Sequence, residues 1–416
     1  MPIIQKHELM CHQSYADGSG TLAVVSFNGK IHQVTSVKTN LNRLDKVFYL
    51  NYTHQQVVIF DAAKQHLSLE KELPKMAFPA YHYYDRVLQH VWMVNDGDEE
   101  NGIDPFCANG GASATVIDNS HPQQPKLLKT ICMGRGHHVM SFISCQDHTG
   151  NSIRRAFASN LQEGTISVID NQPDSAQYLQ IIQTINLLEI EHEKDPTTNI
   201  PNNAFPHGMV YSPVTRKLYN LNNGYGTIVV IDPLSMRIEN RIPMKFSSNL
   251  LLSPEGKYLI GKGADRKSDA AHVIGYLSVV DVTTTKTSVV SELVDFYPST
   301  YRFSSDGKKL YVTSASTGND LQKAKLKTDA IYVYDATALP LLHLIQEITV
   351  GQAHCGRRPL AYVDEAKPTF IYFANPTEGT LSIVSSADQV VETVKIGAEN
   401  AAEVTFSYWD GKFGGS

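Results

Sequence analysis

The sequence predicts an all-β fold, a β-propeller built from four-stranded antiparallel blades, and three observations lead to it. First, a short apolar, β-branched strand that ends in Asp recurs along the chain. Its copies end at Asp61, Asp118, Asp170, Asp232, Asp281 and Asp335. Second, these copies are 49 to 62 residues apart, a period that accommodates four short strands rather than a pair of helices. Third, helical periodicity is almost absent.

The clearest repeat shows how the four strands of a blade follow one another. Residues 207–212 alternate between apolar and polar positions in the manner of a strand, and residues 213–216 form a turn. Residues 217–221 give a second strand, and residues 227–232 and 237–242 give the third and fourth. The unit is therefore a meander in which consecutive strands pair.

The two ends of the chain are predicted to close the ring together. Residues 402–408 look like an innermost strand with no blade of its own, and residues 20–27 look like a third strand without its predecessors. Pairing residues 1–30 with residues 398–410 would supply both. The step from Ser26 to Asp61 is short for an extra repeat, so the count is either seven or eight blades. We favour eight, with one blade split between the termini.

Composition and charge narrow the function. The 416 residues are 42% apolar and 19% charged, without a linker or compositional break, so residues 1–416 are assigned to one domain. The net charge of -6 argues against a nucleic-acid partner. No run of apolar residues is long enough to span a membrane and no leader is visible, so the sequence as written predicts a soluble, cytoplasmic protein, or a periplasmic one if a leader has been removed.

The cysteines leave the redox compartment open. Five are present, at positions 11, 107, 132, 145 and 355, and none forms a CxxC pair. One bridge, Cys107 with Cys132, is compatible with the sequence, and the odd number leaves at least one thiol free in a monomer.

The repeat resembles the YVTN-type repeat family of β-propellers, the YncE-like proteins. The resemblance is carried by residues 206–209, 212–213, 217–219 and 226–232, and residues 310–313 are close to the motif that names the family. It extends over roughly residues 31–397. It implies the propeller fold and says little about function, because such propellers include binding proteins, metalloproteins and enzymes.

Aligning the innermost strands predicts where a site would lie. The positions around the mouth of the central channel are Ala80, His138, His207, Ser248, Ser299, Arg358 and Ala402. His138 and His207 fall in consecutive blades, with His137 beside them, and the interrupting loops bring His272 and His354 to the same face. We therefore predict these five histidines as ligands of a divalent transition metal, zinc or copper. The alternative is that the imidazoles bond to carbonyl groups of neighbouring blades.

Basic residues suggest a second kind of site on the same rim. Arg357, Arg358 and Lys262, with Asp265 nearby, are predicted to bind an anionic small molecule, because guanidinium forks suit carboxylates. A rim neutralised by salt bridges is the alternative. There is no GxSxG motif, phosphate-binding loop or GxGxxG motif, so no nucleotide cofactor is expected.

Three functions remain from the sequence. The first is a metal-binding propeller that acts as a zinc or copper chaperone or as a metalloprotein, since similar propellers include periplasmic zinc chaperones. The second is a metal-dependent lyase or lactonase, or an oxidoreductase, acting on an anionic small molecule with a histidine as general base. The third is a non-catalytic scaffold that binds a protein partner through the channel-mouth face. Whether the protein is an enzyme is left open.

Overall fold

The computed structural model describes residues 8–40, 46–51, 56–62, 64–70, 77–79, 81–97, 107, 112–189, 199–284, 289–363 and 369–408. Within these residues, eight four-stranded sheets form an eight-bladed β-propeller. The predicted fold class and the preferred number of blades are confirmed.

Thirty-two strands and one short helix are described. The first half of the chain contains β1 (Glu8–Ser14), β2 (Ser19–Phe27), β3 (His32–Asn40), β4 (Lys46–Asn51), β5 (Gln56–Asp61), β6 (His66–Glu70), β7 (Ala77–Pro79), β8 (Tyr81–Asp85), β9 (His90–Asn95), β10 (Ser113–Asp118), β11 (Lys126–Cys132), β12 (His137–Gln146), β13 (Ser152–Asn160), β14 (Thr165–Asp170) and β15 (Ile181–Asn186). The second half contains β16 (Pro206–Ser212), β17 (Lys217–Asn222), β18 (Thr227–Asp232), β19 (Arg237–Pro243), β20 (Ser247–Leu252), β21 (Tyr258–Asp265), β22 (Ile274–Asp281), β23 (Val289–Val294), β24 (Pro298–Phe303), β25 (Lys309–Ser314), α1 (Asp320–Lys323), β26 (Ala330–Asp335), β27 (His343–Thr349), β28 (Leu360–Val363), β29 (Phe370–Asn375), β30 (Thr380–Ser385), β31 (Val390–Lys395) and β32 (Glu403–Tyr408).

The first blade joins the two ends of the described chain, as the sequence predicted. Its strand order is β3-β2-β1-β32, and β32 runs antiparallel to β1 with Cys11 opposite Phe406. Leu9, Cys11, Val404 and Phe406 are all buried in one apolar cluster that also contains residues of the eighth blade. The pairing of β1 with β32 therefore closes the ring by placing both ends of the described chain in one sheet.

The second blade departs from the predicted antiparallel meander. Strands β4, β5 and β6 are antiparallel, but the fourth place is taken by the short strand β7, which runs parallel to β4. Only five residues separate β3 from β4, too few for an innermost strand of this blade. The sheet is therefore completed by the segment that leads into the third blade.

The recurring Asp has a local structural role. In five blades the carboxylates of Asp118, Asp170, Asp232, Asp281 and Asp335 each accept a hydrogen bond from the backbone N–H two residues later, at 2.8 to 2.9 Å. This is an Asx turn, which ends the third strand and starts the turn to the fourth. The third strands themselves are buried along most of their length because blades pack on both of their faces.

Two further features of the described chain concern its helices and its cysteines. No helix in the described part of the chain is long and apolar enough to cross a membrane. Cys107 and Cys132 form a disulfide, with their Cα atoms 5.3 Å apart, as the sequence allowed. Cys11 is buried, and Cys145 and Cys355 are half-buried free thiols.

We expect loss of the disulfide to lower stability. Replacing both Cys107 and Cys132 with Ser should reduce the free energy of unfolding by about 3 kcal/mol, because the bridge closes a segment of 25 residues in the unfolded chain. Urea denaturation followed by fluorescence measures this change. Cys145→Ser, which alters a free thiol, is the control, and equal midpoints for the double variant and the native protein would contradict the expectation.

Candidate functional site

The innermost strands of four consecutive blades begin with the same irregularity. The pairing register shifts at the start of β12, β16, β20 and β24. His138, His207, Ser248 and Ser299 lie within these shifts, which matches their predicted equivalence. Such bulges re-aim side chains away from the regular ladder, so the blade entries are suited to forming a site.

Three of the predicted site residues come together. His207 is half-buried at the start of β16. Burial and then the positive charge of Lys262 lower its pKa to about 4; a hydrogen bond with the backbone of Ser248 opposes this shift, and the charge of Arg357 adds to it. Both charges act on the imidazole, so residues from the fifth, sixth and eighth blades share one electrostatic environment. The imidazole is therefore neutral at neutral pH.

Lys262 is the most unusual member of this group. Its side chain, on β21, is only 8% exposed. Burial and then the charges of Arg357 and Arg266 lower its pKa to about 7. In the residues that the structure describes, no hydrogen bond or ion pair joins its ammonium group to a carboxylate. Buried lysines are normally paired, so the environment of this amine is unusual among the described residues.

Two glycines explain how β21 supports Lys262. A Cβ atom at Gly263 would lie 1.8 Å from the carbonyl oxygen of Phe246, and one at Gly261 would lie 2.4 Å from the Met244 sulfur. The segment that enters the sixth blade therefore packs directly on this face of β21. Because side chains alternate along a strand, Lys262 points to the opposite face.

The sequence analysis did not single out Tyr297 and Glu403, which lie beside these cations. The guanidinium carbon of Arg266 lies 5.7 Å from the centre of the Tyr297 ring, and Arg266 and Arg357 both lower the otherwise raised pKa of this buried tyrosine. Arg357 Nη1 lies 3.7 Å from Glu403 Oε1. Glu403 directly follows Ala402, one of the aligned positions, so the alignment contained a signal for it. Tyr297 offered none beyond its place before Pro298.

The short helix α1 holds the loop that carries Arg266. Asn319 caps the helix, and the buried Gln322 side chain donates to the carbonyl oxygens of Arg266, Asp269 and His272 at 3.1, 2.8 and 3.2 Å. Loops of the sixth and seventh blades are thereby tied together. Arg266 is thus on an ordered loop although its side chain is exposed.

Arg358, predicted to bind an anion, is committed to the protein instead. Its side chain is fully buried. Its Nε donates to Ser314 O at 2.9 Å, and its Nη1 donates to Asn375 Oδ1 at 3.0 Å. Its Nη2 donates to the carbonyl oxygens of Gly351, at 2.6 Å, and Thr328. With its donors used in this way, Arg358 links the seventh and eighth blades and is not a ligand-binding group.

The carboxylate of Asp265 likewise forms its hydrogen bonds within its own loop. Its carboxylate accepts hydrogen bonds from the backbone N–H groups of Lys267 and Ser268, at 2.8 and 3.1 Å, and from the Ser268 hydroxyl. These hydrogen bonds lower the pKa of Asp265, and the one from the Ser268 hydroxyl has the largest effect. It stabilises the turn before Asp269 rather than contacting the cations.

The remaining predicted metal ligands are separated. His137 is buried, its Nε2 lies 3.3 Å from the Tyr83 hydroxyl, and burial lowers its pKa to about 3. His272 is exposed, between Asp269 and Lys325 at 3.0 and 3.1 Å. His354 is exposed, and its backbone N–H donates to a threonine hydroxyl.

These placements do not form a metal centre. Across the described ranges, no three His, Cys, Asp or Glu side chains are grouped so that they could hold an ion. Two cations also lie close to His207, which disfavours a metal ion there. The chaperone hypothesis therefore has no support from the structure. The side chain of His138 lies outside the described residues, so its pairing with His207 stays a prediction.

No protein-family model matches the chain, and no curated protein matches it. The resemblance to YVTN-type repeats is therefore not confirmed.

Solved structures do match, over most of the chain. A candidate 6-phosphogluconolactonase from Bacteroides uniformis ATCC 8492 is 15% identical, with a TM-score of 0.54 and 97% of this chain and 100% of that chain covered. The Pseudomonas aeruginosa periplasmic gluconolactonase PpgL is also matched, at 14% identity and a TM-score of 0.55, over 96% of this chain and 98% of that one. The dihydro-heme d1 dehydrogenase NirN is matched at 12% identity and a TM-score of 0.52, over 88% of this chain and 69% of that chain. At such identities the likeness shows the fold alone.

The charge environment of His207 can be measured directly. We expect its imidazole to titrate near pH 4, and we expect Lys262→Met to raise that pKa because a neighbouring positive charge is lost. NMR titration of the ring resonances of the native protein and the variant tests both points. Titration of His207 close to the ordinary histidine value, or no change in the variant, would show that the cationic group is not assembled as described.

Proposed function

We propose that the channel mouth binds an anionic small molecule and hydrolyses a lactone ring within it. The observation that carries this proposal is the buried Lys262, which lies near Arg357 and Arg266 and has no carboxylate partner among the described residues. Two of the matched structures are described as a candidate 6-phosphogluconolactonase and a gluconolactonase, which supports the choice of substrate class.

The basic residues account for binding. Arg357 and Arg266 present guanidinium groups, which match the two oxygens of a carboxylate or phosphate, and Lys262 adds a compact charge. Glu403 contacts one of these three cations, so the group keeps a net positive charge inside a chain whose total charge is -6. A walled cleft of one sign concentrates ligands of the opposite sign.

The neutral histidine accounts for the chemistry. His207 takes a proton from a water molecule as the water oxygen attacks the lactone carbonyl, and a basic side chain stabilises the oxyanion that forms. The ring C–O bond then breaks, and the leaving oxygen takes the proton back from the imidazolium. The net change is addition of one water molecule to give a hydroxy acid. The negative charge of the ligand raises the pKa of His207, which makes it a stronger base.

The disulfide adds a location to this proposal. A Cys107–Cys132 bridge is favoured by an oxidising compartment such as the periplasm. One of the matched lactonases is described as periplasmic. We therefore propose that the protein works outside the reducing cytoplasm.

The proposal is tested by lactone hydrolysis. Purified protein is mixed with 6-phosphogluconolactone or gluconolactone, and acid release is followed by pH-stat against the spontaneous rate. We expect turnover, with a lower KM for the phosphorylated lactone. We expect His207→Asn to lower kcat by about a hundredfold or more, since it removes the general base. We expect Arg357→Gln to raise KM by about tenfold, since it removes a charged contact.

Matched substitutions serve as controls. His343→Asn and Arg237→Gln change exposed residues on the outer strands β27 and β19 and should leave the kinetics unchanged. Rates equal to spontaneous hydrolysis for both lactones would overturn the proposed reaction. Full activity in His207→Asn would overturn the assignment of the base.

A further inference from the structure

We infer that an anion bound at the channel mouth brings a proton with it, and that the side chain of Lys262 takes up this proton. The inference rests on the proposed anion site and adds a dependence on pH to it. The ligand is defined by its chemistry, a small oxyanion such as a phosphate or carboxylate group.

The geometry around Lys262 leads to this inference. The side chain is enclosed, and the residues directly opposite it on the two paired strands, Asn249 and Leu277, carry no charge. The nearest acid on its own strand, Asp265, lies on the other face and bonds to its own loop. Among the described residues, no carboxylate is therefore hydrogen-bonded or ion-paired to the amine of Lys262.

The titratable groups near Lys262 include two positive charges. They are Arg266 from its own loop, Arg357 from the entry of the eighth blade, and His207 from the fifth blade, which is neutral at neutral pH. Tyr297, also close to the two arginines, is protonated in this range. Glu403 contacts Arg357 rather than Lys262. Repulsion and burial therefore both favour the neutral amine in the ligand-free protein.

An arriving anion reverses this balance. Its negative charge stabilises the ammonium form of Lys262 far more than the neutral form, because the site is shielded from water. Binding and protonation are then linked, so each strengthens the other. Well below this pKa the amine is already charged, and the anion binds without proton uptake. Well above it each binding event takes up close to one proton from solution, and the affinity falls as pH rises.

Sulfate is a suitable probe because it stays a dianion throughout the range of interest. We would titrate the native protein with sodium sulfate by calorimetry, at constant ionic strength set with sodium chloride. The dissociation constant should rise about tenfold from about pH 6 to about pH 8. At about pH 8, the dependence of the measured heat on the ionisation enthalpy of the buffer should report close to one proton taken up. Repeating the titration with acetate, which also keeps its charge, distinguishes a phosphate-like ligand from a carboxylate.

Variants assign the proton to Lys262. Lys262→Arg places a permanent charge at this position and should bind sulfate with the same affinity at both pH values, whereas Lys262→Met should bind weakly at both. His207→Asn should keep the pH dependence.

The outcomes separate this inference from the proposed function. Sulfate binding that is independent of pH in the native protein, or no proton uptake at about pH 8, would overturn the inference and leave the anion site in place. No binding of sulfate or acetate at any pH would overturn both.

Discussion

The pairing of β1 with β32 is the constraint on which the rest of the structure depends. A propeller blade exposes two apolar faces, and each face is covered only if the ring is complete. Here the C-terminal strand enters the first blade beside an N-terminal strand, and Cys11 and Phe406 are buried at the join. The position of every blade entry around the channel follows from this closure.

Closure also explains why basic residues far apart in the sequence act together. His207, Lys262 and Arg357 come from three blades, and only the ring brings them to one side of the channel mouth. Burial, together with the neighbouring positive charges, lowers the pKa of both His207 and Lys262, so their charged forms are unfavourable without a ligand. Destabilised charged groups of this kind are typical of functional sites. Hydrogen bonds from Arg358 link the seventh and eighth blades, and a hydrogen bond from Gln322 links the seventh blade to the sixth.

The fold could be predicted from the sequence because each repeat is defined by short strand and turn patterns between neighbouring residues. The Asp that ends the third strand in six of the eight described blades, and the terminal strands that lack a blade of their own, are visible without coordinates. Both predicted the observed arrangement of strands. The site was harder to predict, because the choice between Arg357 and Arg358 depends on which side chain the protein itself satisfies. The histidines predicted as metal ligands show the same difficulty. Their positions around the ring could be predicted from the repeat, but the burial of His137 and the exposure of His272 could not. The parallel strand β7 follows from a shortage of residues that the spacing had already indicated.

The central claim is that Lys262 and Arg357 together form an anion site at the channel mouth. A crystal structure of the protein soaked in selenate, with anomalous scattering recorded from selenium, tests it most directly. The account predicts a selenate ion within hydrogen-bond distance of Lys262 Nζ and of the Arg357 guanidinium. A crystal in which Lys262 is paired with a carboxylate, and selenate binds only elsewhere, would contradict it.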